Sequence, residues 1–68
     1  MSKQMTVREI RRVLFETEYY TVIGQHEMTN KDSRDFLYEI EDQDLVLNVI
    51  DNATHLLIWR WTWNRTKN

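Results

Sequence analysis

Leu45-Val46-Leu47-Asn48-Val49-Ile50-Asp51-Asn52-Ala53-Thr54-His55-Leu56-Leu57-Ile58-Trp59-Arg60-Trp61-Thr62-Trp63 is the stretch whose reading decides the fold. Two apolar, β-rich runs, Leu45–Ile50 and His55–Trp63, flank the turn chemistry of residues 51–54. The pattern predicts an antiparallel C-terminal hairpin. Side chains alternate along a strand, so Leu57, Trp59, Trp61 and Trp63 share one face and Leu56, Ile58, Arg60 and Thr62 the other.

Upstream, Tyr19-Tyr20-Thr21-Val22-Ile23 is a β-branched and aromatic run that stops at Gly24, the only glycine of the chain. It reads as a further strand, followed by a polar loop over residues 25–32. Residues 33–41 fit two periods. Phe36, Tyr38 and Ile40 alternate as in a strand, whereas Phe36, Leu37 and Ile40 form a helical stripe. Asp32 and Ser33 are good N-caps and acids favour a first helical turn, so a short helix is the preferred reading. At the start of the chain, Thr6-Val7-Arg8-Glu9 has the form of a capping box, with Met5 and Ile10 placed for a hydrophobic staple. Val7, Ile10, Val13, Leu14 and Thr17 then recur at helical spacing, which predicts a helix over residues 7–17.

The expected fold is therefore α+β. One N-terminal helix packs on a small three- or four-stranded, mainly antiparallel sheet that ends in the hairpin. Residues 1–68 form one domain, with 1–5 and 64–68 frayed. The expected core is Val7, Ile10, Leu14, Val22, Phe36 or Leu37, Leu47, Val49, Leu56 and Ile58, or their opposite-face alternates. A 68-residue chain without cysteine has no disulfide and no thiolate metal site, so a well-packed core or self-association must hold it together. It has no apolar run long enough for a membrane span and no apolar stretch near Met1 of the kind a signal peptide carries, so a cytoplasmic protein is expected.

The formal charge of −2 conceals a pattern. Residues 1–15 carry Lys3, Arg8, Arg11 and Arg12 against Glu9, a net of +3. Residues 16–55 carry a net of −8, and residues 56–68, with Arg60, Arg65 and Lys67, a net of +3. Basic ends and an acidic middle point to charged partners.

Three features bear on function. The Trp59, Trp61 and Trp63 stripe either fills the core or, with Arg60 and Arg65, forms a contact for a protein partner or a second copy of the chain, since tryptophan and arginine are favoured at interaction hot spots. The same residues, joined by a basic helix face of Arg8, Arg11 and Arg12, outline a stacking platform for nucleic acid, which is the alternative. The acidic middle offers a third reading, a decoy for a basic partner. The acids of residues 39–44 lack the glycine and the final glutamate of a calcium loop, so they read as a solvated turn. His26 and His55 read as turn or surface histidines. No triad, phosphate loop or activated cysteine is apparent, so the chain reads as non-enzymatic, without cofactor or metal.

Thr6-Val7-Arg8-Glu9-Ile10 at the start, and Asp44-Leu45 through Val49-Ile50-Asp51-Asn52 into Leu56-Leu57-Ile58-Trp59 at the close, resemble small uncharacterised proteins of phages and prophages of Gram-positive bacteria. The resemblance implies a short cytoplasmic accessory protein, and it carries over no catalytic or binding residue.

Overall fold

A computed structural model describes residues 2–58. The elements are β1 (Ser2–Thr6), α1 (Val7–Glu16), β2 (Tyr20–Ile23), β3 (His26–Met28), α2 (Asn30–Tyr38), β4 (Val46–Asn52) and β5 (His55–Ile58). The fold is α+β, with two helices and a five-stranded mixed sheet in the order β1-β4-β5-β2-β3. Among the described residues, only β2 and β5 pair in parallel.

The topology consists of two interlocked crossovers. β1 leaves one edge through α1 and lands on β2, with β4 and β5 in between. β3 leaves the other edge through α2 and lands on β4, with β5 and β2 in between. α1 lies against β1 and α2 against β2 and β3, and the two helices pack on each other over one face of the sheet.

Local chemistry starts both helices. The Thr6 hydroxyl accepts from the Glu9 amide at 3.1 Å, and the Glu9 carboxylate accepts from the Thr6 amide at 2.8 Å, which completes the capping box. Thr29 caps α2 by accepting from the Asp32 amide at 3.2 Å. The helical reading of residues 33–41 holds as far as Tyr38; α2 begins earlier, at Asn30, its cap is Thr29 in place of Asp32 or Ser33, and residues 39–41 lie beyond its end.

The core lies between helices and sheet. Val7, Ile10, Leu14 and Leu37 pack on Ile23, Leu47, Val49, Leu56 and Ile58, all buried. The strand contributors alternate in sequence as the pleat requires. Two polar residues join them. Thr21 and Ser33 are wholly buried, and their hydroxyl oxygens are 2.6 Å apart. Ser33 donates its one hydroxyl proton to the Thr29 carbonyl at 2.6 Å. Thr21 must then donate to Ser33, which bonds β2 to α2 through the core.

Several expectations need correction. The sheet has five strands and is mixed. Residues 2–6 form an edge strand instead of fraying, and residues 25–32 contain β3 and the start of α2 instead of a loop. Val22 sits half-buried on the face away from the helices; its neighbours Thr21 and Ile23 take the core positions. Phe36 is on the surface and Leu37 in the core. β4 and β5 do pair as an antiparallel hairpin, but β4 continues through Asn52 and the connection is only Ala53-Thr54. Ala53 has φ 55°, a left-handed conformation suited to a tight hairpin. β5 also pairs with β2, so the hairpin is embedded in the sheet.

The helices cover the face of Leu56 and Ile58. Leu57 lies on the opposite face beside Ile50 and Val22, which are its direct neighbours on β4 and β2. Among the described residues, no helix covers that face.

Candidate functional site

The surface that gathers the most chemistry is the groove between α1 and α2, away from the sheet. Arg8, Arg11, Arg12, Phe15 and Glu16 line it from α1, and Arg34, Asp35 and Tyr38 line it from α2, so four arginines face two acids, of which Asp35 is paired with Lys31. Their placement follows from the core. Ile10, Leu14 and Leu37 must face the sheet, so residues one or two positions away project outward between the helices. Phe15 is 77% exposed and Tyr38 70%, unusual values for large rings in so small a domain.

Two side-chain amides organise the groove. Asn30, the first residue of α2, donates from Nδ2 to the carbonyls of Leu14 at 2.9 Å, Thr17 at 2.9 Å and Tyr19 at 3.0 Å. Its two protons are shared among three acceptors, of which Leu14 lies in the last turn of α1 and Thr17 and Tyr19 in the connection to β2. Its Oδ1 accepts from Arg34 Nε at 2.9 Å. Gln43 repeats the device for α2. Its Nε2 donates to the carbonyls of Leu37, at 3.0 Å, and Ile40, and its Oε1 accepts from Arg11 at 2.6 Å.

Each arginine held in this way reaches the other helix's ring. The Arg11 guanidinium lies 4.8 Å from the centre of the Tyr38 ring. That of Arg34 lies 6.0 Å from the centre of the Phe15 ring, at the outer limit of a cation–π contact. Both helix ends, both arginines and both rings are thus coupled through two amides. Arg8 is tied to Asp44 at 3.2 Å, an exposed ion pair worth little by itself. The Arg12 side chain has no hydrogen-bond or ionic partner among the described residues.

Arg8, Arg11 and Arg12, expected as a basic helix face, thus line one groove, and the fold brings Arg34, Phe15 and Tyr38 into it together with Glu16 and Asp35. These additions were not legible in the sequence, because Phe15 looks like one more apolar residue at the end of a helix and Arg34 like a charge in an acidic block. The other expected contact residues, Trp59, Arg60, Trp61, Trp63 and Arg65, lie outside the described residues. β5, which ends at Ile58, is not an edge strand, since it has β4 on one side and β2 on the other.

A second polar constellation lies on the face without helices. His55 Nε2 is 2.7 Å from the Glu27 carboxylate, and His55 Nδ1 is 2.8 Å from the Thr54 hydroxyl. The imidazole stacks on Tyr20, with ring centres 5.2 Å apart. An ionised Glu27 only accepts, so Nε2 carries the proton. In the neutral ring Nδ1 then accepts from Thr54. His55 is thus a cross-strand tie from β5 over β2 to β3. No group of three or more metal-ligating side chains occurs among the described residues. Among the same residues, no helix is long and apolar enough to cross a membrane.

Comparison of the chain with protein-family models, with curated proteins and with solved structures gives no match.

Proposed function

We propose that this chain is a small non-enzymatic docking module that holds an acidic protein segment in the α1–α2 groove. The observation that carries the proposal is the pair of exposed rings, Phe15 and Tyr38, each beside an arginine fixed by an amide. Rings and arginines supply most of the energy at protein contacts, and side chains already held in place lose less entropy on binding. Carboxylates of the partner would meet Arg12 and Arg34, and an apolar side chain would lie between the rings. A cytoplasmic accessory role, as in a phage or prophage, is part of the same proposal.

Selection of a random peptide library on the intact chain tests it. Acidic sequences should be enriched, and the double variant Phe15→Ala/Tyr38→Ala should lose them while keeping its far-UV circular dichroism. Equal binding to the double variant would overturn the proposal.

The same rings favour a second reading, single-stranded nucleic acid with bases stacked on Phe15 and Tyr38. Oligonucleotide titration separates the two, because phosphate binding falls steeply between low and moderate salt.

A further inference from the structure

The other flank of α1 carries a second surface with different chemistry. β1 is an edge strand, paired only with β4 among the described residues. Its register shows which backbone groups are open. The Val7 amide donates to the Leu45 carbonyl at 2.9 Å, one step beyond the Thr6–Val46 pair. Hydrogen-bonded and non-hydrogen-bonded pairs alternate along an antiparallel ladder. Lys3 and Met5 therefore direct their amides and carbonyls toward β4, and Ser2, Gln4 and Thr6 direct theirs outward. The outward Thr6 amide is already taken by the Glu9 carboxylate, in agreement with that phase. The outward groups of Ser2 and Gln4 have no partner among the described residues.

Beside this open edge runs a groove between β1 and α1. Met5 and Val13, both half-buried, give it an apolar floor, and Lys3 and Arg12 stand over it. Glu9, the one acid that lines it, is engaged by the capping box. Lys3 and Arg12 have no ionic partner among the described residues. The groove thus offers open backbone groups, an apolar floor and uncompensated positive charge side by side.

We infer that β1 accepts an extended acidic peptide as a sixth strand, bonded to Gln4 and Ser2 and running along α1 with its carboxylates on Lys3 and Arg12. Strand addition supplies main-chain hydrogen bonds, and alternate side chains of the peptide read the groove. An apolar side chain on the helix-facing side meets Met5 and Val13. A second copy of this chain is a poor occupant, because edge-to-edge pairing would bring two sets of Lys3 and Arg12 together. The two surfaces share Arg8 and Arg12, but Lys3, Gln4 and Met5 line only this one and Phe15 and Tyr38 only the other, so variants at those positions separate them.

The probe is a fluorescein-labelled peptide, Glu-Thr-Val-Thr-Glu-Thr-Val-Thr, whose helix-facing positions alternate Glu and Val, with Lys in place of Glu as its charge control. Anisotropy titration at low salt should show saturable binding of the Glu peptide and none of the Lys peptide. Gln4→Pro deletes an outward amide and none of the bonds to β4, and proline is tolerated on an edge. It should weaken binding by about tenfold, the effect of losing roughly one hydrogen bond and the approach to its neighbours. Phe15→Ala/Tyr38→Ala should leave binding unchanged. Amide exchange gives a second measurement on the unaltered chain: the Gln4 amide should exchange quickly in the free protein and become protected by the Glu peptide.

Three results would overturn strand addition: no binding, equal binding to Gln4→Pro, or no protection of the Gln4 amide. Loss of binding in the Phe15/Tyr38 variant alone would also overturn it, while leaving the α1–α2 docking proposal standing. Sedimentation that shows peptide-independent dimers lost in Gln4→Pro would assign the edge to a second copy instead.

Discussion

The buried hydroxyl pair of Thr21 and Ser33 sets up an asymmetry that a double-mutant cycle can measure. Ser33→Ala removes the acceptor of the Thr21 hydroxyl. Both residues are 0% exposed, so water does not take its place. A stranded buried donor costs about 1–3 kcal/mol. The Thr29 carbonyl is less affected, because the Ser33 amide still donates to it at 2.8 Å. Thr21→Val is the milder change. It preserves the shape and leaves Ser33 bonded to Thr29, so only an acceptor site on Ser33 goes unused. Its expected cost is about 0.5–1.5 kcal/mol, that of one ordinary hydrogen bond. In the double variant no donor is stranded, so Thr21→Val should restore part of what Ser33→Ala removes. Coupling between residues in such contact is about 0.5–3 kcal/mol. Urea titrations followed by far-UV circular dichroism on the four proteins give the cycle. In a domain of this size, about 2 kcal/mol corresponds to a fall in Tm of roughly 8–16 °C, which is easily resolved. The proton assignment would be refuted if Thr21→Val cost as much as Ser33→Ala, or if the two losses simply added.

Other expectations concern the site and its supports. Asn30→Ala should destabilise by about 1–3 kcal/mol, because it unpairs helix-end carbonyls, whereas Asn30→Asp, which keeps the shape and loses the donors, should fare no better. Thermal melts of the two variants would check this. Leu47→Ala should cost about 2–5 kcal/mol, a large part of the stability of a small domain, and leave a substantial unfolded fraction in a urea titration. Thr6→Ala should cost about 0.5–2 kcal/mol through loss of the cap, and in amide exchange it should deprotect the first turn of α1 ahead of the sheet. Phe15→Ala should change stability by less than about 0.5 kcal/mol, as an exposed residue should, while removing the peptides selected on the α1–α2 groove.

The helices were legible because their signals are local. Thr6 and Glu9 are three residues apart, and the stripe of Val7, Ile10 and Leu14 is a matter of period. The hairpin was legible for the same reason, since two β-rich runs and their turn are contiguous. β1 and β3 were missed because a short polar edge strand has no period of its own. Ser2–Thr6 becomes a strand only when β4 presents its ladder to it. The parallel pairing of β2 with β5 joins Tyr20 to His55 across most of the fold, and no window of sequence contains both.

For the candidate site the division falls in the same place. Sequence alone determined that Arg8, Arg11 and Arg12 share a capped helix, that His55–Ile58 is a strand, and that no cysteine chemistry is available. Tertiary structure alone decided that Asn30 and Gln43 would seal helix ends and hold Arg34 and Arg11 against Phe15 and Tyr38. It also decided that Leu56 and Ile58, not Leu57, would face the helices, and that β1 would be left with an open edge. The physical reason is common to all three. Periodicity fixes which residues share a face, but the partner of a face, a carbonyl or a strand edge is set by packing between segments distant in the chain.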